Sequence, residues 1–343
     1  MAGGGHPLQV GGSGGAGRGG CRRGDGGSPE DGSGDRGGAV VRSERLQGYS
    51  LALVAAALWA TLGLFYRRLE GYGLPRLTIV FYRAAIASVV LFLVLGWRRP
   101  GSLRLRRRDW PLFLAFGLLG VAAFFVVYIQ AIALTGMGVA AVLMYTAPAW
   151  VTLLSAVFLK EPLNGFKVGA LLLAVGGCVL VGRAYDLASV RLNLAGILAG
   201  LGAGLTYGLY TIFSKVAQRR YTAWVTLAYA LGLGALFLFP LQSSADLLHA
   251  ATSPALVFWL LMLGLLPTLG GGIAFNAALR RMEASNASIV ATLEPAVAAL
   301  LGWLVLGERM EVPQLVGAGL ILAAVVVLQG EISNVKCQTS FDA

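Results

Sequence analysis

The chain has 343 residues, of which 57% are hydrophobic and only 13% carry a charge. Soluble proteins carry about a quarter charged residues, so this composition excludes an ordinary soluble domain and indicates an integral membrane protein. The net charge of +11 would suggest nucleic-acid binding in a soluble protein. Here the basic residues stand in short loops between apolar runs, where they set membrane orientation, so nucleic acid is excluded as a partner.

The first 45 residues differ from the rest of the chain because they are rich in glycine, with scattered Arg, Asp and Ser. Such a segment cannot bury a core, and it lacks the apolar stretch of a secretory signal. We predict a disordered cytoplasmic tail over residues 1–45, with a start near Val40 or Val41 as the alternative. A second, short cytoplasmic tail is predicted over residues 331–343.

Between the tails the chain consists of apolar segments of about 20 residues, the length that crosses a bilayer as a helix. Helices are favoured because lipid-exposed backbone must form its hydrogen bonds within its own segment, and these runs are too long for barrel strands. The sequence therefore predicts an all-α integral membrane protein with ten transmembrane helices. The predicted segments are 48–66, 77–97, 110–134, 138–159, 166–182, 193–214, 222–240, 255–279, 284–306 and 312–329.

The distribution of Lys and Arg supports this number of helices. If ten segments alternate in direction, 20 of the 27 Lys and Arg residues fall on one side of the membrane and 6 on the other. Cytoplasmic loops carry the excess of positive charge, so both chain ends are predicted to be cytoplasmic. A missed helix would scramble this alternation.

The two halves of the apolar region match each other in register. A shift of 147 residues aligns Pro148 with Pro295 and Glu161 with Glu308. A shift of 148 residues aligns Trp59 with Tyr207. The first helix of each half also carries a stripe of small residues, which is Gly48, Ala52, Ala56 and Ala60 in one half and Gly196, Gly200, Gly204 and Gly208 in the other. We interpret the stripes as surfaces for close helix approach, with a sliding surface or a cavity wall as the alternative.

Each half contains five predicted helices, an odd number, so the second half must enter the membrane from the opposite side. The repeats, over residues 46–183 and 191–330, are then related by a pseudo-two-fold axis in the membrane plane. This architecture is typical of secondary transporters, which bind solute at the repeat interface near the midplane and expose it to the two sides in turn.

The matched residues resemble a known family. The FYR of the second helix (Phe81, Tyr82, Arg83), the paired prolines and helix-ending glutamates, and the run ASIVATLEPAVAALLGWLVLGE are similar to the two five-helix EamA repeats of the drug/metabolite transporter superfamily. The resemblance covers about residues 48–330. It implies a ten-helix transporter of small organic solutes such as amino acids and metabolites, with a cavity walled by the first, third, fourth, sixth, eighth and ninth helices.

Glu294 is the principal candidate for a binding residue, because a carboxylate at the centre of a transmembrane helix is rare without a function. It could bind a proton, a substrate ammonium group or an organic cation. The alternative is a protonated carboxyl group that only fixes helix packing. Pro148 and Pro295 are expected to kink their helices at matching depth and to free backbone carbonyls, either for a binding site or as purely structural kinks.

Further polar and aromatic side chains inside the predicted helices could contact a solute, including a cation over a ring face. Core filling, or hydrogen bonding to a neighbouring helix, is the alternative for each of them. These substrate-binding candidates are Trp59, Tyr128, Tyr145, Tyr207, Tyr210, Gln130 and Asn276.

Three charged residues could take part in gating or simply end helices. Arg83 is expected to extend outward to the interface or to pair with Glu70, and a pairing with Glu294 is conceivable from its depth. Glu161 and Glu308 end their helices on opposite membrane faces, where gating salt bridges and solvated helix ends are equally good interpretations.

The sequence thus predicts a secondary transporter in the cytoplasmic membrane that moves small organic metabolites by alternating access, with export favoured. Its predicted partners are a small-molecule solute and the lipid bilayer. Proton coupling through Glu294 and facilitated diffusion both remain open, as does the oligomeric state. No catalytic group, metal site or cofactor is predicted, and a non-transporting receptor or scaffold protein is the alternative.

Overall fold

A computed structural model describes residues 33–185, 193–307 and 311–339. Over these ranges every regular element is helical and no strand is present, in agreement with the predicted all-α class. The described residues from position 41 onward form one compact unit. Residues 1–32 of the predicted N-terminal tail lie outside the described residues. A helix, Ser33–Ala60, begins in the remaining part of that tail and contains the start of the first apolar span, Glu44–Glu70.

In the described part of the chain, eight helices are long and apolar enough to cross a membrane, and two further apolar helices are shorter. Together they occupy the positions of the ten predicted segments. In chain order they are α1 (Glu44–Glu70), α2 (Arg76–Arg98), α3 (Arg107–Thr135), α4 (Met137–Leu159), α5 (Gly165–Val181, shorter), α6 (Leu194–Ala217), α7 (Ala223–Leu241), α8 (Pro254–Arg281), α9 (Ala284–Val305) and α10 (Val312–Leu328, shorter).

Two of these helices, α4 and α9, are interrupted at matching places. The first helical segment of α4 ends at Met144, and that of α9 ends at Ala291. Each end lies four residues before a proline, Pro148 or Pro295. A proline ring clashes with the carbonyl four residues earlier and has no N–H to donate, so the sequence itself explains where both helices break.

The glycine stripe of α6 lies directly against α4. A Cβ atom added to Gly200 would lie 2.6 Å from the Leu143 Cβ atom, and one added to Gly204 would lie 2.5 Å from the Thr146 Oγ1 atom. Real Cβ atoms do not approach other heavy atoms this closely. The interpretation of this stripe as a surface for close helix approach is therefore confirmed for α6, and it brings α6 against the break in α4.

The two shorter helices pack on each other through glycine. A Cβ atom on Gly177 of α5 would lie 2.6 Å from the carbonyl oxygen of Gly317, and one on Gly317 of α10 would lie 2.7 Å from the carbonyl oxygen of Gly177. The backbones of α5 and α10 are thus in direct contact. These helices end the first and the second repeat respectively, so their contact joins the halves.

Candidate functional site

Glu294 lies in α9 just after the break in that helix, at the middle of the span. The Tyr145 side chain, located at the matching break of α4, lies close enough to its carboxylate to interact with it electrostatically. Both side chains keep part of their surface accessible although they lie deep in the helix assembly. The interruptions of α4 and α9 are therefore associated with one partly accessible carboxylate.

Side chains of several helices lie within electrostatic range of the Glu294 carboxylate. It interacts electrostatically with Arg83 of α2, Tyr128 of α3, Tyr145 of α4, Cys178 of α5 and Tyr207 of α6. Helices of both repeats thus converge on one charge. The resemblance implied a cavity wall without the second helix, but an interaction of Arg83 with Glu294 was one of the alternatives that the sequence left open.

Four of the five predicted aromatic residues, all except Tyr145, form one continuous group near Glu294. Tyr207 packs edge-on against Trp59 with ring centroids 6.4 Å apart, and it stacks on Tyr210 at 6.4 Å. Phe124 links the group to α3, because its ring lies 5.5 Å from Tyr207 and stacks at 5.8 Å on Tyr128. We call Trp59, Phe124, Tyr128, Tyr207 and Tyr210 the aromatic wall; only Phe124 was not a candidate from the sequence.

Asn276 and Gln130 differ in burial and in their contacts. Asn276 is fully buried, its Nδ2 atom donates to the Tyr210 hydroxyl (3.2 Å) and to the Gly272 carbonyl (2.9 Å), and its Oδ1 atom accepts from Gln218 (2.8 Å). Its amide is thus engaged in bonds between α6 and α8, which is the alternative that the sequence left open. Gln130 is exposed, and no contact joins it to the group around Glu294 within the described ranges.

The expected pairing of Arg83 with Glu70, or its extension to the interface, is wrong. Glu70 forms an ion pair with Arg76, which begins α2 just across a short turn. Arg83 lies two turns deeper and is only 8% exposed. Because Glu70 is already paired with Arg76, the Arg83 side chain can point into the helix assembly.

Inside the assembly, neutral groups hold the Arg83 side chain. Its Nε atom donates to the Thr268 hydroxyl (3.0 Å), one Nη atom donates to the Tyr66 hydroxyl (3.3 Å), and the guanidinium lies 5.4 Å from the centre of the Phe125 ring. Thr268 belongs to a π-helical stretch of α8, Gly264–Gly270. Stretches of this kind are frequent at functional sites, and this one contains Pro267.

Glu161 makes a contact that neither interpretation of the sequence included. Its carboxylate accepts hydrogen bonds from the backbone N–H groups of Ala284 (2.7 Å) and Ser285 (3.1 Å) and from the Ser285 hydroxyl (2.7 Å). The first N–H groups of a helix have no partner within the helix and favour a negative charge. Glu161 of the first repeat therefore caps α9 of the second, on the predicted cytoplasmic side.

The corresponding start of α4 has different surroundings. The shift of 147 residues places Met137 on Ala284, yet no described side chain caps the helix there. A cavity of about 320 Å³ opens beside it, lined by Thr135, Gly136, Met137, Gly138, Val139, Gly182 and Arg183. Glu308, the sequence counterpart of Glu161, lies outside the described residues. The start of α9 is thus hydrogen-bonded to the other repeat, whereas the corresponding start of α4 borders a cavity.

Within the described ranges no group of three His, Cys, Asp or Glu side chains is arranged to hold a metal ion. The candidate site is instead a single carboxylate with a neighbouring guanidinium and an aromatic wall. Such a site can bind charged or aromatic groups of a solute without forming bonds to it.

A comparison of the sequence with protein-family models identifies the family of this chain. The EamA-like transporter family matches the chain twice, over residues 46–183 and 194–329. The chain belongs to the EamA-like transporter family. It is therefore a multi-pass membrane transporter, and the family assignment made from the paired prolines and glutamates is confirmed.

Several curated relatives of this EamA-like transporter match over most of their length. An uncharacterized transporter of Archaeoglobus fulgidus is 30% identical over 82% of this chain and 95% of its own. A probable terminal-alkyne amino-acid exporter of Streptantibioticus cattleyicolor is 31% identical over 76% of this chain and 85% of its own. A pseudopaline exporter of Pseudomonas aeruginosa is 26% identical over 82% of this chain and 95% of its own.

One solved crystal structure resembles this transporter in fold. It superimposes with a TM-score of 0.70, covers 84% of this chain and 98% of its own, and is 18% identical in sequence. At that identity the likeness concerns the fold alone. It agrees with the helical arrangement described above.

Proposed function

We propose that this transporter moves small organic metabolites, such as amino acids, amines or related solutes, across the cytoplasmic membrane by alternating access. Export is the proposed direction, since two of the relatives are named exporters, one of them for an amino acid. Membership of a transporter family argues against the alternative of a non-transporting receptor or scaffold.

The proposed topology has ten membrane crossings in two inverted repeats of five helices, with both chain ends in the cytoplasm. The shorter helix α5 has 17 residues, which matches the lower limit of about 17 residues for a spanning helix. Its contact with α10 supports a position for both within the helix assembly. The excess of Lys and Arg on one side supports the orientation.

The Tyr145–Glu294 contact carries the proposed solute site. It lies where the breaks of α4 and α9 meet, midway along both spans and beside the aromatic wall. Binding sites of inverted-repeat transporters are formed by such discontinuous helices. We assign Glu294 to bind the positively charged group of the solute, or a proton when no solute is bound, so that exchange of the two can couple export to proton entry.

Glu161 supports a proposal for the conformational cycle. Glu161 caps the start of α9, whereas a cavity lies beside the start of α4. This difference supports the proposal of a form that is closed at the predicted cytoplasmic end. Loading from the cytoplasm requires that the repeats separate there. We propose that the Glu161 cap breaks in each cycle to admit the solute.

Counterflow in liposomes that contain purified protein tests this function. Liposomes are loaded with one amine or amino acid, and uptake of the same radiolabelled solute is followed, with alanine, leucine, phenylalanine and their amides as the panel. We expect uptake of at least one solute above protein-free liposomes, and its loss in Glu294→Gln.

The matched control is Glu311→Gln, which removes a carboxylate from an exposed ion pair with Arg183 at 2.5 Å. This variant is expected to keep the wild-type rate. Equal uptake by Glu294→Gln and wild-type protein across the panel would contradict the proposed site.

A further inference from the structure

The guanidinium of Arg83 is buried without an acidic partner in contact. The groups that hold it, Thr268, Tyr66 and the Phe125 ring, are all neutral. No carboxylate among the described residues forms an ion pair with it. A buried charge without a counter-charge is costly inside a membrane protein, so the position of Arg83 needs an explanation beyond helix packing.

Glu294 is the carboxylate that lies within electrostatic range of Arg83. The two charges interact electrostatically, yet they do not approach to within salt-bridge distance. Neutral hydroxyl groups hold Arg83 through hydrogen bonds, and the side chain near Glu294 at the break of α4, Tyr145, is neutral as well. Two opposite charges are therefore held apart at one site instead of neutralising each other by contact.

Their depths in the membrane are similar. Arg83 follows Arg76, the outer end of α2, by seven residues, and Glu294 follows Ala284, the cytoplasmic end of α9, by ten. At about 1.5 Å per residue these positions are about 10 Å and about 15 Å from opposite faces. In a hydrocarbon layer about 30 Å thick, the two charges then differ in depth by only about 5 Å.

We propose that Arg83 is the anion-binding residue of the transport site and that the solute is bound as a zwitterion. Its ammonium group contacts Glu294 and its carboxylate contacts Arg83. This inference rests on the solute site proposed above. An α-amino acid carries both charges on groups attached to one carbon, so it bridges two protein charges that do not touch, and its side chain is left to contact the aromatic wall. Thr268 and Tyr66 act as positioning residues, because they orient the guanidinium without contacting the solute.

Ligand analogues that lack one charge test the proposal. Alanine, leucine and phenylalanine are each compared with the corresponding amide, which lacks the carboxylate, and with the desamino acid, which lacks the ammonium group. Thermal stabilisation of the purified protein gives the apparent affinity of each compound, since a ligand of the folded state raises its stability. We expect at least one amino acid to bind at least about tenfold more tightly than both of its analogues, the usual effect of a hydrogen bond to a charged group.

Substitutions assign each charge to its residue. In Arg83→Gln the amino acid is expected to bind no better than its amide, whereas the affinity of the amide is unchanged. In Glu294→Gln the amino acid should bind no better than its desamino analogue. Arg98→Gln, which changes the exposed arginine at the other end of α2, serves as the control and should keep the preference for the zwitterion.

Should Arg83→Gln fail to fold, Arg83→Lys provides the test, because it keeps the charge but not the planar fork of donors; it should bind the amino acid severalfold more weakly. The inference is overturned if no amino acid binds better than both analogues in the wild-type protein, or if Arg83→Gln retains the preference. If amides still undergo counterflow in that case, the proposed transport function stands and only the zwitterion site is rejected.

Discussion

Glu161 and Ala284 join the two repeats of this transporter through a hydrogen bond of 2.7 Å between a carboxylate oxygen and a backbone N–H. The residues lie 123 positions apart in the chain, at the end of α4 and the start of α9. Next to them, the buried Lys167 forms an ion pair of 2.5 Å with Glu283. These contacts lie at the same end of the helix assembly, so they close it together.

Removal of the cap should loosen this end of the transporter. Glu161→Ala is expected to lower the free energy of unfolding by about 1 kcal/mol, the usual effect of losing a helix cap. It should also speed the reaction of a cysteine introduced at the buried Ser288 with a membrane-impermeant maleimide added from the cytoplasmic side. Glu311→Ala, at the opposite end, is the control and should not change the labelling rate; equal rates in all three proteins would argue against the cap.

The close approach of α6 to α4 predicts a sharp difference between neighbouring glycines. An alanine at Gly204 would bring its Cβ atom to 2.5 Å from Thr146 Oγ1, whereas one at Gly202 would meet nothing closer than 3.9 Å. Gly204→Ala should therefore lower stability by about 1–3 kcal/mol, as overpacking does. Gly202→Ala should be neutral or slightly stabilising in the same thermal unfolding assay, and similar values for both variants would contradict the described packing.

Asn276 is expected to act in folding more than in solute recognition. Asn276→Ala leaves the Tyr210 hydroxyl and the Gln218 amide without their buried partner, which should cost about 1–3 kcal/mol of stability. The ratio of affinities for different solutes should stay as in the wild type, because the amide is already engaged within the protein. A variant of normal stability with altered solute preference would show instead that Asn276 contacts the solute.

Tyr207 tests the aromatic wall. Tyr207→Phe keeps the ring contacts with Trp59 and Tyr210, so the affinity for an aromatic amine should stay close to wild type. Tyr207→Leu removes them, and each aromatic pair contributes about 0.5–1.5 kcal/mol, so both stability and affinity should fall. The two variants are compared by thermal unfolding and by counterflow; indistinguishable behaviour would exclude a role for the ring.

The features that depend on local chemistry could be predicted from the sequence. The helix positions follow from apolar runs bounded by charges, and the breaks follow from Pro148 and Pro295. Tyr145, Tyr207 and Glu294 could each be named as candidates because polar and aromatic side chains inside predicted membrane helices are conspicuous in the sequence.

The features that depend on distant partners could not be predicted. The partner of Arg83 is a hydroxyl 185 positions away in the chain, and Glu161 bonds to backbone groups of another repeat. Neither contact leaves a pattern in the neighbouring residues, because backbone N–H groups and lone hydroxyls occur throughout the sequence. Only the packing of α2 against α8 and of α4 against α9 brings these groups together.

The inverted arrangement of the two repeats is the central claim, and the sidedness of two corresponding loops tests it most directly. Single cysteines are placed at Ser102, between α2 and α3, and at Ser244, between α7 and α8, after replacement of Cys21, Cys178 and Cys337. With a membrane-impermeant maleimide on intact cells, we expect labelling of Ser244→Cys at once and of Ser102→Cys only after the membrane is opened. Labelling of both cysteines from the same side would contradict the inverted repeats.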